Sequence, residues 1–174
     1  MRGMRNTRHT VIDSALDEVT VVAEGDELTG LYFPGHRHLP NASVFGARAE
    51  ADADEVFVRA KAELDAYLAG QREPFDVPLR VSGDDFSKQV WLLLRSIPYG
   101  QTTSYGALAE QLGDRRLAQR VGQAVGRNPL CVFIPCHRVV GADGSLTGYA
   151  GGLERKRWLL ELEEPAEATG SRLF

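Results

Sequence analysis

The sequence has little cysteine and no long hydrophobic run, and each shortage excludes a class of protein. Its 174 residues include two cysteines, Cys131 and Cys136, which stand five positions apart. This number and spacing argue against a disulfide framework and suit a reducing compartment. No apolar run approaches the length of a membrane span, and Arg2, Arg5 and Arg8 are not followed by the apolar stretch of a secretory signal. We therefore expect a cytoplasmic protein with no membrane partner.

Cofactor and metal motifs are missing as well. The sequence contains no nucleotide-binding glycine loop. His36 and His38 are of a metal-ligating type, but no cysteine and no third ligand lies near them, so we interpret them as structural. No stripe of apolar residues indicates a subunit interface. We expect a monomer without cofactor or metal.

The charge is unevenly distributed along a chain of ordinary composition, with 43% hydrophobic and 25% charged residues and a net charge of −4. Residues 1–82 hold nine basic and 14 acidic side chains, whereas residues 115–157 hold eight basic and two acidic ones. A basic segment of this kind is what phosphate contacts require. Taken alone, it is equally consistent with a solvated charged surface.

The first part of the chain has the pattern of a small antiparallel sheet with one helix. Residues 1–9 are polar and lack periodicity, which predicts a loose tail. Apolar side chains recur at helical spacing over Ala51–Ala69, and Gly70 is placed to end that helix. A proline-containing linker then predicts a domain boundary near Ser82, so the first domain spans residues 10–82. Three short runs predict strands: Thr10–Ile12, Val19–Val22 and Leu28–Phe33, the last two joined by a turn over residues 24–27.

The second domain, residues 83–165, is predicted to be mostly helical and to be followed by a tail over residues 166–174. Two of its helices are short and closely spaced, which predicts a helix-turn-helix. The apolar run Val132–Ile134 predicts a buried strand. The predicted helices are one capped by Ser82 that carries Phe86 to Ile97, one over Tyr105–Leu112 capped by Ser104, one over Arg116–Gly126, and one over Glu154–Glu163.

The string Pro135-Cys136-His137-Arg138-Val139 places a thiol beside an imidazole and a guanidinium. Cationic neighbours favour the thiolate, which is the nucleophilic form of cysteine. Neighbours on a regular strand point to opposite faces, so His137 can approach Cys136 only if the backbone turns there, or through a water molecule. A buried cysteine beside a structural histidine is the plain alternative for an isolated pair.

The longer pattern resembles the active-site signature of the O6-alkylguanine-DNA alkyltransferases. Asn128-Pro129 precedes the string and Gly148-Tyr149-Ala150-Gly151-Gly152 follows it, and the resemblance covers residues 86–163 closely. It implies an α/β (α+β) fold, with a ribonuclease H-like roll followed by a winged-helix or helix-turn-helix domain. It also implies direct repair of duplex DNA, in which an alkyl group passes irreversibly from O6-alkylguanine to the Cys136 thiolate after the base is flipped. Activity on O4-alkylthymine stays open.

The resemblance also implies roles for individual residues. Cys136 matches the alkyl acceptor, and His137 the histidine that takes its proton through a water. Glu163 matches the glutamate that orients this histidine, and Asn128 the asparagine that ties the recognition helix to the site. Tyr105 matches the tyrosine that assists rotation of the nucleotide. Further implied contacts are Tyr149, Val139, Gly151 and Lys156 for the substrate, and Ser87, Tyr105, Gln119 and Arg120 for DNA, whereas Arg138 is implied to be structural.

One position departs from the family pattern. The family inserts an arginine from the recognition helix into the space that the flipped base leaves, and here Gln119 stands at that position with Arg120 next to it. Adjacent helical positions point about 100° apart, so either residue can fill the space but not both.

Two other functions compete with alkyl transfer. A lesion-binding sensor on the same fold would flip the base without transferring the group, but such proteins replace the cysteine. A redox sensor or cysteine hydrolase would use Cys136 differently, and Cys131 is the residue that could resolve an oxidised thiol.

Overall fold

The computed structural model describes residues 7–164, which divide into two compact units. Of these residues, the first unit contains 7–82 together with Pro129–Phe133, and the second contains Gly83–Asn128 and 134–164. The second domain was expected to be continuous, but five of its residues pack with the first unit. Residues 1–6 of the expected N-terminal tail and the whole expected tail at 166–174 lie outside the described residues. The fold belongs to the α/β class, as predicted.

A four-stranded sheet forms the centre of the first unit. Its strands are β1 (Thr7–Asp13), β2 (Glu18–Glu24), β3 (Glu27–Tyr32) and β4 (Ala47–Arg48), in the order β3-β2-β1-β4. The pairs β1–β2 and β2–β3 are antiparallel, whereas β4 runs parallel to β1, so the sheet is mixed and not antiparallel as predicted. Residues 7–9, expected to belong to the tail, pair with β2.

A glycine allows the parallel strand to approach β1. Gly46 has φ +73°, and a Cβ at this position would lie 2.1 Å from the carbonyl oxygen of Thr7. Glycine is the residue that combines this backbone conformation with such close contact. The parallel β4 therefore depends on a local feature that the alternation of apolar residues does not reveal.

Helix α1 (Glu55–Leu68) packs against β2, and Phe57, Ala60 and Leu64 are buried on its inner face as predicted. The predicted strand at Val132–Ile134 is wrong. Leu130 instead forms a bridge with Leu31, and the chain then turns at Val132, which has φ +78°. A β-branched residue with positive φ cannot continue a strand, although its side chain is buried like that of a core strand.

The second unit is built mainly from helices. They are α2 (Asp85–Arg95), α3 (Tyr105–Gln111), α4 (Ala118–Gly126) and α5 (Leu153–Glu163), with two short strands, β5 (Thr103–Ser104) and β6 (Val139–Val140). Helix α2 is capped by Asp84, whose Oδ1 accepts the Ser87 amide at 2.8 Å, and not by Ser82 as predicted. Trp91 is buried between helices and donates from Nε1 to the Ala124 carbonyl at 2.8 Å.

The helix-turn-helix is formed by α3 and α4, which a 3-10 turn at Arg115–Leu117 connects. Ser104 caps α3 as predicted, because its Oγ accepts the Ala107 amide at 3.1 Å. Strand β5 ends at Ser104, directly before α3, and pairs in parallel with β6, which directly follows Arg138. Within residues 7–164, no helix is long and apolar enough to cross a membrane.

Candidate active site

The backbone turns at the cysteine. Residues Cys136–Arg138 form a 3-10 turn, in which the Arg138 amide donates to the Pro135 carbonyl at 3.1 Å. The Cys136 amide donates to the Ile134 carbonyl at 2.7 Å. The segment is therefore not a regular strand. Because the backbone turns here, the Cys136 thiol and the His137 imidazole are not forced to opposite faces and can approach each other. All three side chains of the turn are buried.

Glu163, at the end of α5, accepts hydrogen bonds from two side chains of this turn. Its carboxylate is 2% exposed and lies 2.8 Å from Nε2 of His137. Arg138 donates to it from Nε and Nη2, both at 2.8 Å, and the Gly100 amide donates at 3.2 Å. The bidentate guanidinium holds Glu163 in its ionised form.

The Glu163 carboxylate fixes the tautomer of His137. An ionised carboxylate can only accept hydrogen bonds, so Nε2 of His137 carries the proton and donates it to Glu163. The lone pair of the neutral ring is then on Nδ1. Burial lowers the pKa of His137, an effect that the hydrogen bond and charge of Glu163 oppose, and that the charges of Arg138 and Lys156 increase. The arrangement can therefore supply a neutral general base.

Two buried cations accompany this carboxylate. Arg138 also donates from Nη1 to the Ile97 carbonyl at 2.6 Å, which joins the turn to the segment after α2. Lys156 is completely buried and its Nζ donates to the carbonyls of Val139, Thr147 and Gly148 at 2.7, 2.8 and 3.4 Å. Burial lowers the pKa of Lys156 to about 8, and the negative charge of Cys136 partly offsets this. By reciprocity, the Lys156 ammonium stabilises the Cys136 thiolate.

Asn128 connects the end of α4 to the cysteine. It is 2% exposed, and its Nδ2 donates to the Ile134 carbonyl at 2.8 Å, the same carbonyl that accepts the Cys136 amide. The side chain therefore fixes the peptide that precedes Pro135. The sequence left open whether Asn128 serves the site or only ends the helix, and this contact favours the former.

The predicted substrate residues surround the loop between β6 and α5. Tyr149 is 7% exposed, and its carbonyl accepts the Gly152 amide at 2.9 Å. The Gly151 carbonyl accepts from Arg155 at 2.7 Å. Val139 and Lys156 are joined by the hydrogen bond between them, so the ammonium of Lys156 is directed at backbone carbonyls.

The predicted DNA residues lie on the helix-turn-helix and at the start of α2. Gln119 and Arg120 are both exposed on α4, and Ser87 is half-buried in the first turn of α2. The guanidinium of Arg120 stacks on the ring of Phe86, with 4.0 Å between its Cζ and the ring centroid. Tyr105 begins α3, and its hydroxyl lies 2.8 Å from Oγ1 of Thr147.

Sequence reasoning missed three contributors to the site. The Gly100 amide and the Thr147 hydroxyl have no motif of their own and are joined to their partners over 63 and 42 positions of sequence. The electrostatic contact between Lys156 and Cys136 was also missed. A lysine one turn into a helix carries no signal that its side chain will be buried.

Both parts of the chain match models of one protein family. Residues 7–81 match the model described as "6-O-methylguanine DNA methyltransferase, ribonuclease-like domain", and residues 85–165 match that described as "6-O-methylguanine DNA methyltransferase, DNA binding domain". The chain is 42% identical over 171 residues to a methylated-DNA--protein-cysteine methyltransferase of Mycobacterium bovis, covering 92% of this chain and 96% of that protein. The Haemophilus influenzae protein of the same name is 35% identical over 157 residues, covering 90% and 86%.

Solved structures agree with these matches. The crystal structure of Mycobacterium tuberculosis OGT in complex with DNA has a TM-score of 0.81 and 41% identity, covering 93% of this chain and 98% of that one. An O6-methylguanine DNA methyltransferase from Methanococcus jannaschii has a TM-score of 0.63 and 29% identity, covering 88% and 92%. The resemblance noted in the cysteine string is therefore confirmed over both halves of the chain.

The burial of neutral His137 predicts how stability depends on pH. Folding lowers the pKa of His137 below the ordinary histidine value of about 6.5. At a pH below that value, the unfolded chain therefore binds a proton at this residue that the folded chain does not bind. Lowering the pH from 7 to 5.5 should therefore reduce the free energy of unfolding of the second unit by about 1 kcal/mol. Urea titrations followed by tryptophan fluorescence measure this, since both tryptophans, Trp91 and Trp158, lie in that unit.

The His137→Gln variant should lose most of this pH dependence, because glutamine does not titrate. A His38→Asn variant, which removes an exposed histidine in the first unit and tolerates its φ of 60°, should retain it. Equal pH dependence in the wild type and in His137→Gln would show that His137 is not the buried neutral group.

Proposed function

The chain belongs to the 6-O-methylguanine DNA methyltransferase family, and from that premise we propose how its residues carry out the reaction. It is a DNA-repair enzyme that reverses damage directly, by moving a methyl group from methylated DNA to one of its own cysteines. We propose that this cysteine is Cys136. The observation that carries the assignment is the hydrogen bond between His137 and Glu163 in the turn that begins at Cys136.

The proposed transfer is an in-line displacement at the methyl carbon. Nδ1 of His137 takes the Cys136 proton, directly or through one water, and the thiolate attacks the carbon. The new S–C bond forms as the C–O6 bond breaks, and the electron pair of that bond stays on guanine, which then takes up a proton. The product is a thioether, and a thiolate is a poor leaving group from saturated carbon, so no group in this donor set removes the methyl group again. Each molecule therefore acts once.

Two groups prepare the thiolate. Glu163 orients His137 and fixes its tautomer, in the relationship of base and orienting group known from other nucleophile-base-acid triads. Lys156, whose pKa of about 8 keeps most of it protonated at pH 7, supplies a positive charge near Cys136 whether or not His137 has taken the proton. Asn128 holds the peptide before Pro135, so the nucleophile starts from a defined position.

The base pocket is proposed to lie along the loop that contains Tyr149 and Gly151. Duplex DNA containing O6-alkylguanine would contact the helix-turn-helix, with Ser87 at a phosphate and Tyr105 beside the rotating nucleotide. Val139 and Lys156 would shape this pocket by fixing its backbone, because the Lys156 ammonium donates to the Val139 carbonyl and to two carbonyls of the loop. The proposed reaction uses only DNA and the protein, and we propose that the protein acts as a monomer without a cofactor in the cytoplasm.

Gln119 is the residue that we propose fills the space left by the flipped base. Arg120 is already engaged, since its guanidinium stacks on Phe86 at the start of α2. Such a cation–π contact at an exposed site is worth about 0.5–1 kcal/mol, and inserting Arg120 into DNA would break it. Gln119 is exposed on the adjacent helical position and loses no such contact.

Intact-protein mass spectrometry after incubation with a duplex containing one O6-methylguanine tests the proposed acceptor. We expect one methyl group per protein molecule, located on the Cys136 peptide, and no gain in the Cys136→Ala variant. The matched control is Cys131→Ala, which also removes a buried thiol and should be methylated normally. A gain located on Cys131 would contradict the assignment. A lesion-binding sensor would bind the duplex tightly without any mass gain.

A comparison of Gln119→Ala with Arg120→Ala tests which residue stabilises the flipped state. Fluorescence of 2-aminopurine at the target position reports unstacking of the base. We expect Gln119→Ala to reduce the fluorescence at saturating protein. Arg120→Ala should leave the fluorescence unchanged but weaken binding to DNA, and the salt dependence of binding should fall by up to about one released counterion. The reverse result would assign the role to Arg120.

A further inference from the structure

Thr147 lies in the loop between β6 and α5 and is held at both its backbone and its side chain. Its carbonyl accepts a hydrogen bond from Nζ of Lys156 at 2.8 Å, and its Oγ1 lies 2.8 Å from the hydroxyl oxygen of Tyr105. Lys156 in turn holds the Val139 carbonyl, one residue after the cysteine turn. Thr147 is thus connected to the nucleophile segment through one side and to the helix-turn-helix through the other.

The ring of Tyr105 is supported from the recognition helix as well. A Cβ at Gly122 in α4 would lie 3.6 and 3.8 Å from the Cδ1 and Cε1 atoms of the ring, so the ring rests near the helix backbone. With the ring against α4 and the hydroxyl against Thr147, both ends of the Tyr105 side chain are fixed. A tyrosine at the start of a helix has two side-chain torsions, and these contacts restrict both.

The Tyr105–Thr147 pair has two hydrogen-bonding arrangements, because either hydroxyl can donate. When Tyr105 donates, its proton is used within the protein. When Thr147 donates to the phenol oxygen, the Tyr105 proton is available to an acceptor on a ligand. The Tyr105 hydroxyl is then a stronger donor, because its oxygen already accepts a hydrogen bond. The switch between them requires only rotation of two hydroxyl protons, so no side chain has to move.

We propose that Thr147 is a positioning residue for the methyl transfer, whose hydroxyl donates to Tyr105 and directs the Tyr105 proton to a hydrogen-bond acceptor on the edge of the flipped purine. This inference rests on the proposed function, in which Tyr105 lies beside the rotated nucleotide. A threonine at this position would thereby raise the rate of transfer without contacting the base. The Lys156 hydrogen bond to its carbonyl keeps the hydroxyl within reach of Tyr105.

Single-turnover kinetics on a duplex containing O6-methylguanine test the proposal, with binding and transfer measured separately. Thr147→Val keeps the shape of the side chain and removes the hydroxyl. It should slow the transfer step about tenfold, as loss of one hydrogen bond in the transition state does, and leave the Kd for undamaged duplex unchanged. Thr147→Ser retains the hydroxyl and should restore the rate to within about threefold of the wild type. Tryptophan fluorescence of each variant checks that the second unit is folded.

A double-mutant cycle with Tyr105→Phe separates positioning from a merely structural role. If Thr147 acts through the Tyr105 hydroxyl, Thr147→Val should cause no further loss in the Tyr105→Phe background. Additive losses, an unchanged rate in Thr147→Val, or failure of Thr147→Ser to restore the rate would each overturn the proposal. Failure of the proposed function itself is distinguishable, because the wild-type protein would then show no methyl gain at Cys136 in the same reaction.

Discussion

The hydrogen-bonded pairing of the Glu163 carboxylate with Arg138 and His137 is the interaction on which the second unit's site depends. It connects the last turn of α5 to the cysteine turn, and through Gly100 and the Ile97 carbonyl it also connects the segment after α2. A buried carboxylate left without its cation typically costs about 3–5 kcal/mol. The same contacts that hold these elements together therefore set the protonation of the base, so stability and chemistry cannot vary independently here.

The charges around Cys136 favour the thiolate that we propose for this buried place. Before the reaction, with His137 neutral and Cys136 a thiol, the cluster contains two cations, Arg138 and Lys156, and one anion, Glu163. The proposed transfer of the Cys136 proton to His137 then adds one anion and one cation. Arg138 is committed to Glu163 by two hydrogen bonds, so Lys156 is the cation whose charge is left for the thiolate. The backbone carbonyls that hold the Lys156 ammonium satisfy its hydrogen bonds without neutralising its charge.

Much of this arrangement was accessible from the sequence, because short-range patterns and the cysteine string are local. The buried face of α1 followed from spacing and the cap at Ser104 from capping preferences, and the resemblance supplied the roles that we propose for Cys136 and His137. The strand expected at Val132–Ile134 failed because burial and apolar character do not report a positive φ. The parallel β4 and the Tyr105–Thr147 contact depend on tertiary approach, which no local pattern encodes.

The protonation state of His137 decides whether this side chain can act as the base for Cys136. Two-bond proton–nitrogen correlation NMR of the 15N-labelled protein at pH 7 distinguishes the two neutral tautomers and the imidazolium, and the His137 signals are assigned by their loss in His137→Gln. We expect a neutral ring with its proton on Nε2, donated to Glu163, and an unprotonated Nδ1. A ring protonated on Nδ1 alone, or an imidazolium at pH 7, would contradict it, because neither form can accept the Cys136 proton at that nitrogen.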